Sequence, residues 1–524
     1  MNHNHTFRFV SVLLALFTAA ASVRAQYVPS VPAAPFPGYI NNYLRNSNPY
    51  LNAWDIGVNA RGRFEDKDGA GFNYSGSNAD FRQNGNGLTN NNNNKYYITR
   101  IMPRIGYTAK WWAFLVEGRS SSSWGDNRGA LNVLPADANK PGRSLAENDS
   151  DLNVHQAYVM IGNHKEFPLS LKIGRQELVY GDQRQLGNFR WNNNARTFDA
   201  AKIRWQNKFF GVDMFTGGLV YNDNHNFNRS HINDDHFSGA YFNFPTISRN
   251  NITEAYFYSR NVTVGSATVD VDPNKNPDAG VAAPFRNPAK QDLYTAGLRF
   301  KSKPLAYGPW DYCMELMHQF GNRATTGPTA LSAAVASAPR LQQRAYAAVI
   351  QGGYTWTESS WQPRLGLIYS YASGDKNPND KTSQTYQNLF ATTHLHYGYM
   401  DLNSLQNLDD IRLAFTGKPT PTTSFALEGH LQYLDRKTDS WYNVAGVARS
   451  GGTANAGNGY AISPSFSRNV GEEVDFVTSW NFLPSAQIEL GVSHYYRGNY
   501  IKQSLRTLGS KDASYCYVQL TLTL

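Results

Sequence analysis

The sequence predicts an all-β membrane protein, a transmembrane antiparallel up-and-down β-barrel of about 18 strands with short periplasmic turns and long extracellular loops. Three observations lead to this prediction. Segments of about ten residues alternate apolar with polar side chains from residue 52 to residue 524. The connections between them are by turns long and polar or only a few residues long. Downstream of residue 25, no apolar stretch approaches the roughly 18 residues that a membrane helix requires.

The N-terminus has the pattern of a secretory signal peptide. A charged start at Arg8 precedes an apolar run over residues 9–21, and small residues lead to a cleavage site after Ala25. We therefore expect a signal peptide over residues 1–25 and a proline-punctuated periplasmic N-terminal segment over residues 26–50. No composition break divides the alternating units that follow, so residues 51–524 are predicted to form one transmembrane domain.

The first strand, residues 52–65, has one apolar face that includes Trp54 and Ile56, and an opposite polar face that includes Asp55 and Arg61. This period of two is the geometry of a strand with lipid on one side and water on the other. The other predicted strands span residues 96–108, 111–124, 151–162, 169–178, 196–205, 209–221, 237–244, 254–264, 292–303, 310–321, 345–356, 363–372, 410–417, 424–434, 473–483, 486–497 and 513–524.

The connections between these strands sort onto two sides of a membrane. Short connections, residues 163–167, 206–208, 304–309, 418–422 and 484–485, all fall on one side, which is then the periplasmic one. Long connections, residues 125–150, 222–236, 373–409 and 435–472, fall on the other side. Hydrocarbon offers no partner to backbone N–H and C=O groups, so the sheet must close. A barrel of about 18 strands leaves an aqueous channel unless loops plug it, and transport is therefore the expected function.

The inward parity carries more cations than anions. The net charge of the chain is +9, and guanidinium groups fixed on strands favour a carboxylated or phosphorylated solute. The alternative is that these arginines pair with neighbouring carboxylates and only hold a polar lumen together. The expected inward cations are Arg61, Arg63, Arg100, Arg104, Arg119, Lys202, Arg204, Arg299, Lys301, Arg364 and Arg412, and the expected inward anions are Asp55, Glu65, Glu117, Glu315, Glu428 and Glu489.

Other candidate sites have a structural explanation beside the functional one. Tryptophans at strand ends, such as Trp54 and Trp480, could stack on sugar rings, but interface anchoring accounts for them better. Cys313 and Cys516 lie in separate strands, with Cys313 facing the lumen and Cys516 facing lipid, so no disulfide is expected. The search for catalytic motifs is negative, with no GxSxG, HExxH or Walker loop in the chain.

Metal sites are not predicted, although two loops have polar side chains that could bind a cation. Carboxylates near Asp375 and Asp380 could offer oxygens to Ca²⁺, but the spacing is not that of an EF-hand and suits ordinary turns. A second loop combines histidines with aspartates, for which polar loop composition is an equal explanation. Its residues are His225, His231, His236, Asp223, Asp234 and Asp235.

Two segments resemble a known family. The first is Gly174-Arg175-Gln176-Glu177-Leu178-Val179-Tyr180-Gly181-Asp182-Gln183-Arg184, followed by Arg196-Thr197-Phe198-Asp199. It is similar to the fifth strand, loop and sixth strand of the alginate-export family of outer-membrane proteins. The second consists of Ser373-Gly374-Asp375, Asn388-Leu389-Phe390 and Tyr397-Gly398-Tyr399-Met400-Asp401.

The resemblance implies an arginine-rich constriction that passes an anionic uronate polysaccharide. It adds Arg175, Arg184 and Arg196 to the expected substrate-binding residues, and Gln176, Glu177, Asp182 and Asp199 as family motif positions. Where the best-known exporters have a long periplasmic turn that plugs the pore before the seventeenth strand, this chain has only Leu483-Pro484-Ser485-Ala486.

We therefore expect an outer-membrane channel of a Gram-negative bacterium that passes an alginate-like polymer or oligomer. Two alternatives stay open. The first is a general or anion-selective porin without polymer preference, and the second is an outer-membrane enzyme or adhesive surface protein that uses the long loops. The expected partners are the lipid bilayer, an anionic polysaccharide or oligosaccharide and periplasmic secretion components, with no nucleic acid and no cofactor.

Overall fold

The computed structural model describes most of the chain after residue 37. The described residues are 38–70, 81, 93–126, 152–162, 166–221, 229–230, 232–233, 235–262, 291–324, 340–444, 446, 448–449, 460 and 462–524.

Eighteen strands form one antiparallel sheet that closes on itself. They are β1 Trp54–Asp68, β2 Asn93–Thr108, β3 Trp112–Trp124, β4 Asn153–Ile161, β5 Leu169–Gln176, β6 Phe198–Gln206, β7 Gly211–Tyr221, β8 Asp235–Asn243, β9 Asn251–Val262, β10 Gln291–Ser302, β11 Trp310–Ala324, β12 Arg340–Thr355, β13 Arg364–Ala372, β14 Leu408–Thr420, β15 Thr423–Tyr433, β16 Asn469–Leu483, β17 Ala486–Arg497 and β18 Ala513–Thr523. Two further pieces, Arg229–Ser230 and Thr382–Ser383, are only two residues long and lie outside the barrel wall.

The barrel closes by pairing its last strand with its first. The register of this closing pair runs from Asn59 opposite Thr523 to Asp68 opposite Ser514. All remaining pairs in the barrel wall join strands that are consecutive in the sequence. The predicted fold and strand number are therefore confirmed. The largest shift is at β12, which begins at Arg340 and not at residue 345. Residues 341–344 are Leu-Gln-Gln-Arg, which do not alternate apolar with polar and so hide this end of the strand.

The two faces of the wall differ as the alternation requires. Ile101 and Ile105 on β2 are exposed on the outer face, whereas Arg100, on the opposite parity of the same strand, is buried inside. Cys313 is buried and Cys516 is exposed, in agreement with their predicted parity. At the start of β1, Trp54 packs edge-on against Tyr107 with ring centroids 5.1 Å apart. Such aromatic contacts at strand ends are typical of the interface girdle of an outer-membrane barrel.

Short helices complete the described fold. They are α1 Tyr39–Ser47 and α2 Asn499–Ser504, with 3₁₀ turns at Pro49–Ala53 and Thr393–Leu395. None of the helices in the described ranges is long and apolar enough to cross a membrane. The proline pattern of residues 26–50 predicted an irregular segment and did not predict α1. This helix is anchored by tertiary contacts, since Asn41 Nδ2 donates to Asp55 Oδ1 at 2.8 Å and Asn41 Oδ1 accepts from the N–H of Ile56 at 2.7 Å.

Candidate functional site

Two long connections fold back into the barrel. Inner loop 1, residues 177–197, joins β5 to β6, and inner loop 2, residues 373–407, joins β13 to β14. Leu186 of the first loop and Phe390 of the second are 1% and 3% exposed, in one apolar cluster with inward-facing Phe198 and Phe237. The ring centroid of Phe390 lies 4.8 Å from that of Phe237. The loops therefore narrow the lumen at this level, which wall side chains alone could not do.

Glycine at the end of β5 directs inner loop 1 away from the wall. Gly174 has a φ of +122°, and a Cβ atom placed there would lie 2.2 Å from the carbonyl oxygen of Ala157 on β4. Only glycine tolerates this combination of backbone angle and close approach. After Arg175, β4 and β5 are no longer paired, and the chain enters the lumen.

The two inner loops bind each other through their backbones. The N–H of Gly187 donates to the carbonyl of Phe390 at 2.9 Å, and the N–H of Phe390 donates to the carbonyl of Gln185 at 2.9 Å. Arg196 donates to the carbonyl oxygens of Gly187, Phe390 and Ala391. Burial, with Arg260 nearby, lowers the pKa of Arg196 to about 9. This family-motif arginine thus ties one loop to the other.

The arginines of β1, β2 and β3 hold inner loop 1 against the part of the wall that these strands form. They donate mainly to backbone carbonyls of residues 190–194. The contacts are Arg61 to the carbonyl of Arg190 at 2.8 Å, Arg63 to the carbonyl of Trp191 at 3.0 Å, Arg100 to the carbonyls of Arg190 at 3.0 Å and Asn192 at 3.2 Å, and Arg119 to the carbonyl of Asn194. All four side chains are less than 9% exposed. These four predicted substrate-binding residues therefore lie between the barrel wall and inner loop 1.

Glu177 anchors the first turn of inner loop 1. Its carboxylate accepts from Arg190 Nε at 2.8 Å and Asn188 Nδ2 at 2.8 Å, and it contacts His155 Nε2 at 2.9 Å. Burial alone would raise the pKa of this carboxyl group, but Arg190, His155 and Asn188 together lower it well below its usual value. The carboxylate form is therefore the one that the loop requires.

A second set of ion pairs fixes the middle of inner loop 1 to β10 and β11. Asp182 pairs with Arg299 at 2.6 Å and with Lys301 at 3.1 Å, and Arg184 lies 3.6 Å from Glu315. Burial opposes the charge of Asp182, yet these cations hold its pKa below the usual value. The motif residues Asp182 and Arg184 thus act as anchors of the loop in this structure.

The remaining predicted cations also pair with carboxylates, and Arg175 and Asp199 do so on the outward parity of β5 and β6. Arg175 binds Asp199 through two contacts of 2.8 and 3.1 Å, and Gln176 Nε2 donates to the carbonyl of Ala200 at 2.9 Å. The other pairs are Arg104 with Asp55 at 2.7 Å, Arg364 with Asp311 at 2.6 Å and Arg412 with Glu428 at 3.2 Å. Pairing of this kind is the structural alternative considered from the sequence, and it applies to these residues.

Two inward-facing cations share a single carboxylate, and a third stands directly opposite one of them. We define the basic cluster as Lys172, Lys202, Arg204 and Asp213. Lys202 and Arg204 each lie 3.4 Å from Asp213. Lys172 stands directly opposite Lys202 in the pairing of β5 with β6, and its ammonium nitrogen lies 3.6 Å from the ring centroid of Tyr158. Like charges opposite each other in a sheet are unfavourable, so this cluster is suited to an anion.

Lys172 was not among the residues predicted from the sequence. It lies on the inward parity of β5, opposite Lys202, and this cross-strand pair was the signal that could have identified it. Arg190 was missed as well, because no strand periodicity marks the loop in which it lies.

The polar loops considered for metal binding show ordinary turn contacts. Asp375 Oδ1 accepts from the N–H of Asn377 at 3.1 Å, and Asp380 Oδ1 accepts from the N–H of Thr382 at 2.6 Å. Among the described residues, no group of three or more His, Cys, Asp or Glu side chains is placed to hold a metal ion. His236 and Asp235 lie on β8, whereas Asp223, His225, His231 and Asp234 lie outside the described residues.

Comparison with known proteins gives a family and a set of structures with the same fold. The family model for alginate export matches residues 55–510. The crystal structure of OccK9 (OpdG) from Pseudomonas aeruginosa is similar with a TM-score of 0.52 at 9% identity, over 91% of this chain and 100% of that one. OpdK from the same organism, crystallised with vanillate, gives a TM-score of 0.50 at 10% identity, over 90% and 99% of the two chains. No curated protein matches the sequence significantly.

Proposed function

This chain belongs to the alginate export family, and from that membership we propose that it is an outer-membrane channel for anionic carbohydrate, with an alginate-like uronate polymer or oligomer as its solute. A channel of this kind works by attraction and water-filled passage, without a chemical step. The basic cluster carries the proposal, since Lys202 and Arg204 share one carboxylate there and Lys172 stands directly opposite Lys202. A uronate carboxylate placed at Lys172 and Lys202 would relieve their mutual repulsion.

The arginines beneath inner loop 1 have a different role in this proposal. They fix the loop that narrows the lumen, and the solute meets the cations that the loop leaves uncovered. Lys301, with 37% of its side chain exposed, and Arg190, with 36% exposed, are the more accessible of these. A partly hydrated cation is suited to a passing solute because binding must be weak enough to permit release.

A second candidate is a porin for small anionic solutes without polymer preference. It is favoured by the hydrogen bonds between inner loops 1 and 2, which cross the lumen and would have to move before a polymer could pass. In the similar barrel of OpdK, the crystallised ligand is vanillate, a small carboxylate. Both candidates require the basic cluster, and they differ in how the length of the solute affects binding.

Single-channel recording in planar bilayers tests the proposal. We expect wild-type protein to prefer anions and to be blocked by oligouronates more strongly than by neutral oligosaccharides. Lys172→Gln combined with Lys202→Gln should weaken the block by about tenfold or more, because a hydrogen bond between charged groups contributes about 1.5–3 kcal/mol. The matched control is Lys502→Gln, which removes an exposed lysine on α2.

The outcomes separate the candidates. Block that strengthens with each added uronate residue supports the polymer channel, whereas block that is independent of length supports the small-solute porin. Equal block by uronate and neutral oligomers, or no difference between the double variant and Lys502→Gln, would overturn the role of the basic cluster.

A further inference from the structure

The outer face of the barrel has an apolar groove that the lumen does not use. It spans β9 to β13 and has a volume of about 590 Å³, which is within the range of small-molecule sites. Small side chains on the strands form the floor of the groove, and larger side chains form its two walls. Alanines Ala255, Ala296 and Ala348 line it together with Leu316, Tyr346 and Tyr371. Leu316 and Tyr346 are exposed on the outer face, so the groove opens toward lipid.

Arg344 stands at one end of this groove. It lies two residues from Tyr346 on β12, and thus on the same outward face. Its side chain is exposed, and within the described part of the chain it makes no hydrogen bond or ion pair. Arg340, on the same face of the same strand, instead pairs with Asp292 at 2.5 Å. Arg344 is therefore a cation on the lipid-facing surface with no carboxylate partner among the described residues.

The depth of Arg344 follows from the geometry of the strand. At the other end of β12, Tyr354 packs against Trp310 with ring centroids 4.8 Å apart, and against Trp356 at 5.1 Å, in the periplasmic aromatic girdle. The ten residues between Tyr354 and Arg344 span roughly 33 Å along the strand, or about 25 Å along the membrane normal at the usual tilt of about 40°. This is about the height of the apolar band of such a barrel. Arg344 is thus at the level of the outer-leaflet headgroups.

We propose that Arg344 and the apolar groove form a binding site for a phosphorylated glycolipid of the outer leaflet, with its phosphate on the guanidinium group and one acyl chain in the groove. The planar guanidinium presents parallel N–H donors that match phosphate oxygens. The groove lies directly below, where the acyl chain of a lipid bound at this headgroup level extends. Arg344 carries the charge opposite to that of the headgroup, so the two attract each other.

Retention of lipid A by the full-length protein tests this site. The protein is reconstituted in phosphatidylcholine vesicles that contain bisphosphorylated lipid A, extracted again in mild detergent, and analysed by native mass spectrometry for bound lipid. We expect Arg344→Gln to weaken retention by about tenfold, since a charge-assisted contact is lost. Arg340→Gln is the matched control on the same strand and face, and it should retain lipid A as wild type does. Ala348→Trp should also weaken retention, because it fills the groove.

Further measurements distinguish the headgroup from other ligands. Dephosphorylated lipid A should bind wild type and Arg344→Gln equally, and added inorganic phosphate should not displace lipid A, because the site requires the acyl chain. Unchanged retention by Arg344→Gln, or equal losses in Arg344→Gln and Arg340→Gln, would show that Arg344 only extends its charge toward water and would overturn the site. A change of oligomeric state in Ala348→Trp with lipid A still bound would assign the groove to a second copy of the chain. Retained heat-modifiable mobility on gels shows that each variant is folded.

Discussion

The guanidinium group of Arg196 in inner loop 1 donates a hydrogen bond to the carbonyl oxygen of Phe390 in inner loop 2. It also donates to the carbonyl oxygens of Gly187 and Ala391, each at 3.1 Å. One side chain therefore bonds to both loops that cross the lumen.

Removing this link should loosen the constriction. We expect Arg196→Ala to increase mean single-channel conductance and current noise, because the two loops then lose three of their hydrogen bonds. Recordings in planar bilayers measure both quantities. Arg249→Ala, in an exposed periplasmic turn, is the control and should behave as wild type. Identical conductance in the two variants would mean that the loops are held by their backbone contacts alone.

Acid should release inner loop 1. The pKa of Glu177 in the folded protein lies well below its ordinary value of 4.5, so its anchoring is fully present above pH 4.5 and is lost only as the pH falls through that lower folded value. We expect noisier and larger currents at acidic pH in wild type, and the same currents already at neutral pH in Glu177→Gln. Glu166→Gln, which alters an exposed pair with Lys110, is the control. A Glu177→Gln variant with wild-type pH dependence would contradict this assignment.

The carboxylate of the basic cluster should limit anion preference. Asp213 lies 3.4 Å from both Lys202 and Arg204, and Asp213→Asn removes the one negative charge of the cluster. We expect the reversal potential measured in a salt gradient to shift toward the equilibrium potential of the anion. Asp68→Asn, whose partner is Lys511 at the exposed outer end of β1, should leave it unchanged. A shift toward the cation in Asp213→Asn would rule out the cluster as an anion site.

Glycine at position 174 should be required for stability. Gly174→Ala places a Cβ atom 2.2 Å from the carbonyl oxygen of Ala157 at a φ of +122°, and backbone strain of this kind costs about 1–3 kcal/mol. We expect the free energy of unfolding in detergent, measured by urea titration, to fall by that amount. Gly429→Ala is a matched control, since a Cβ atom at Gly429 has no neighbour within 4 Å. Equal stability of the two variants would show that the strand can shift without cost.

The wall of the barrel could be predicted from the sequence, but the contents of the lumen could not. Lipid on one side and water on the other force a period of two in every strand, and this is why β17 was predicted with both ends correct. The inner loops have no such period. Their polar residues resemble those of solvent-exposed loops, although Asn193 and Asn194 are buried against the wall.

The inward arginines show the same limit. Parity places Arg61 and Arg100 inside the barrel, but it contains no information about what they contact. Both donate to the carbonyl of Arg190, a residue about 90 or more positions further along the chain. The same sequence evidence predicts equally well that these arginines bind solute or that they hold a loop. Only the folded structure distinguishes the two roles.

The pairing of β1 with β18 also sets the order in which this protein can be made. Strand β1 has one neighbour as soon as β2 forms, but its other edge waits for residues 514–523 at the far end of the chain. Contacts between such distant segments form slowly. An incomplete chain would form an open sheet with two unpaired edges. Such edges are unfavourable in lipid, and in water they pair with other chains and cause aggregation. Nascent chains therefore have to be kept unfolded and protected across the periplasm until the last strand arrives, so the completion of synthesis and export precedes membrane insertion.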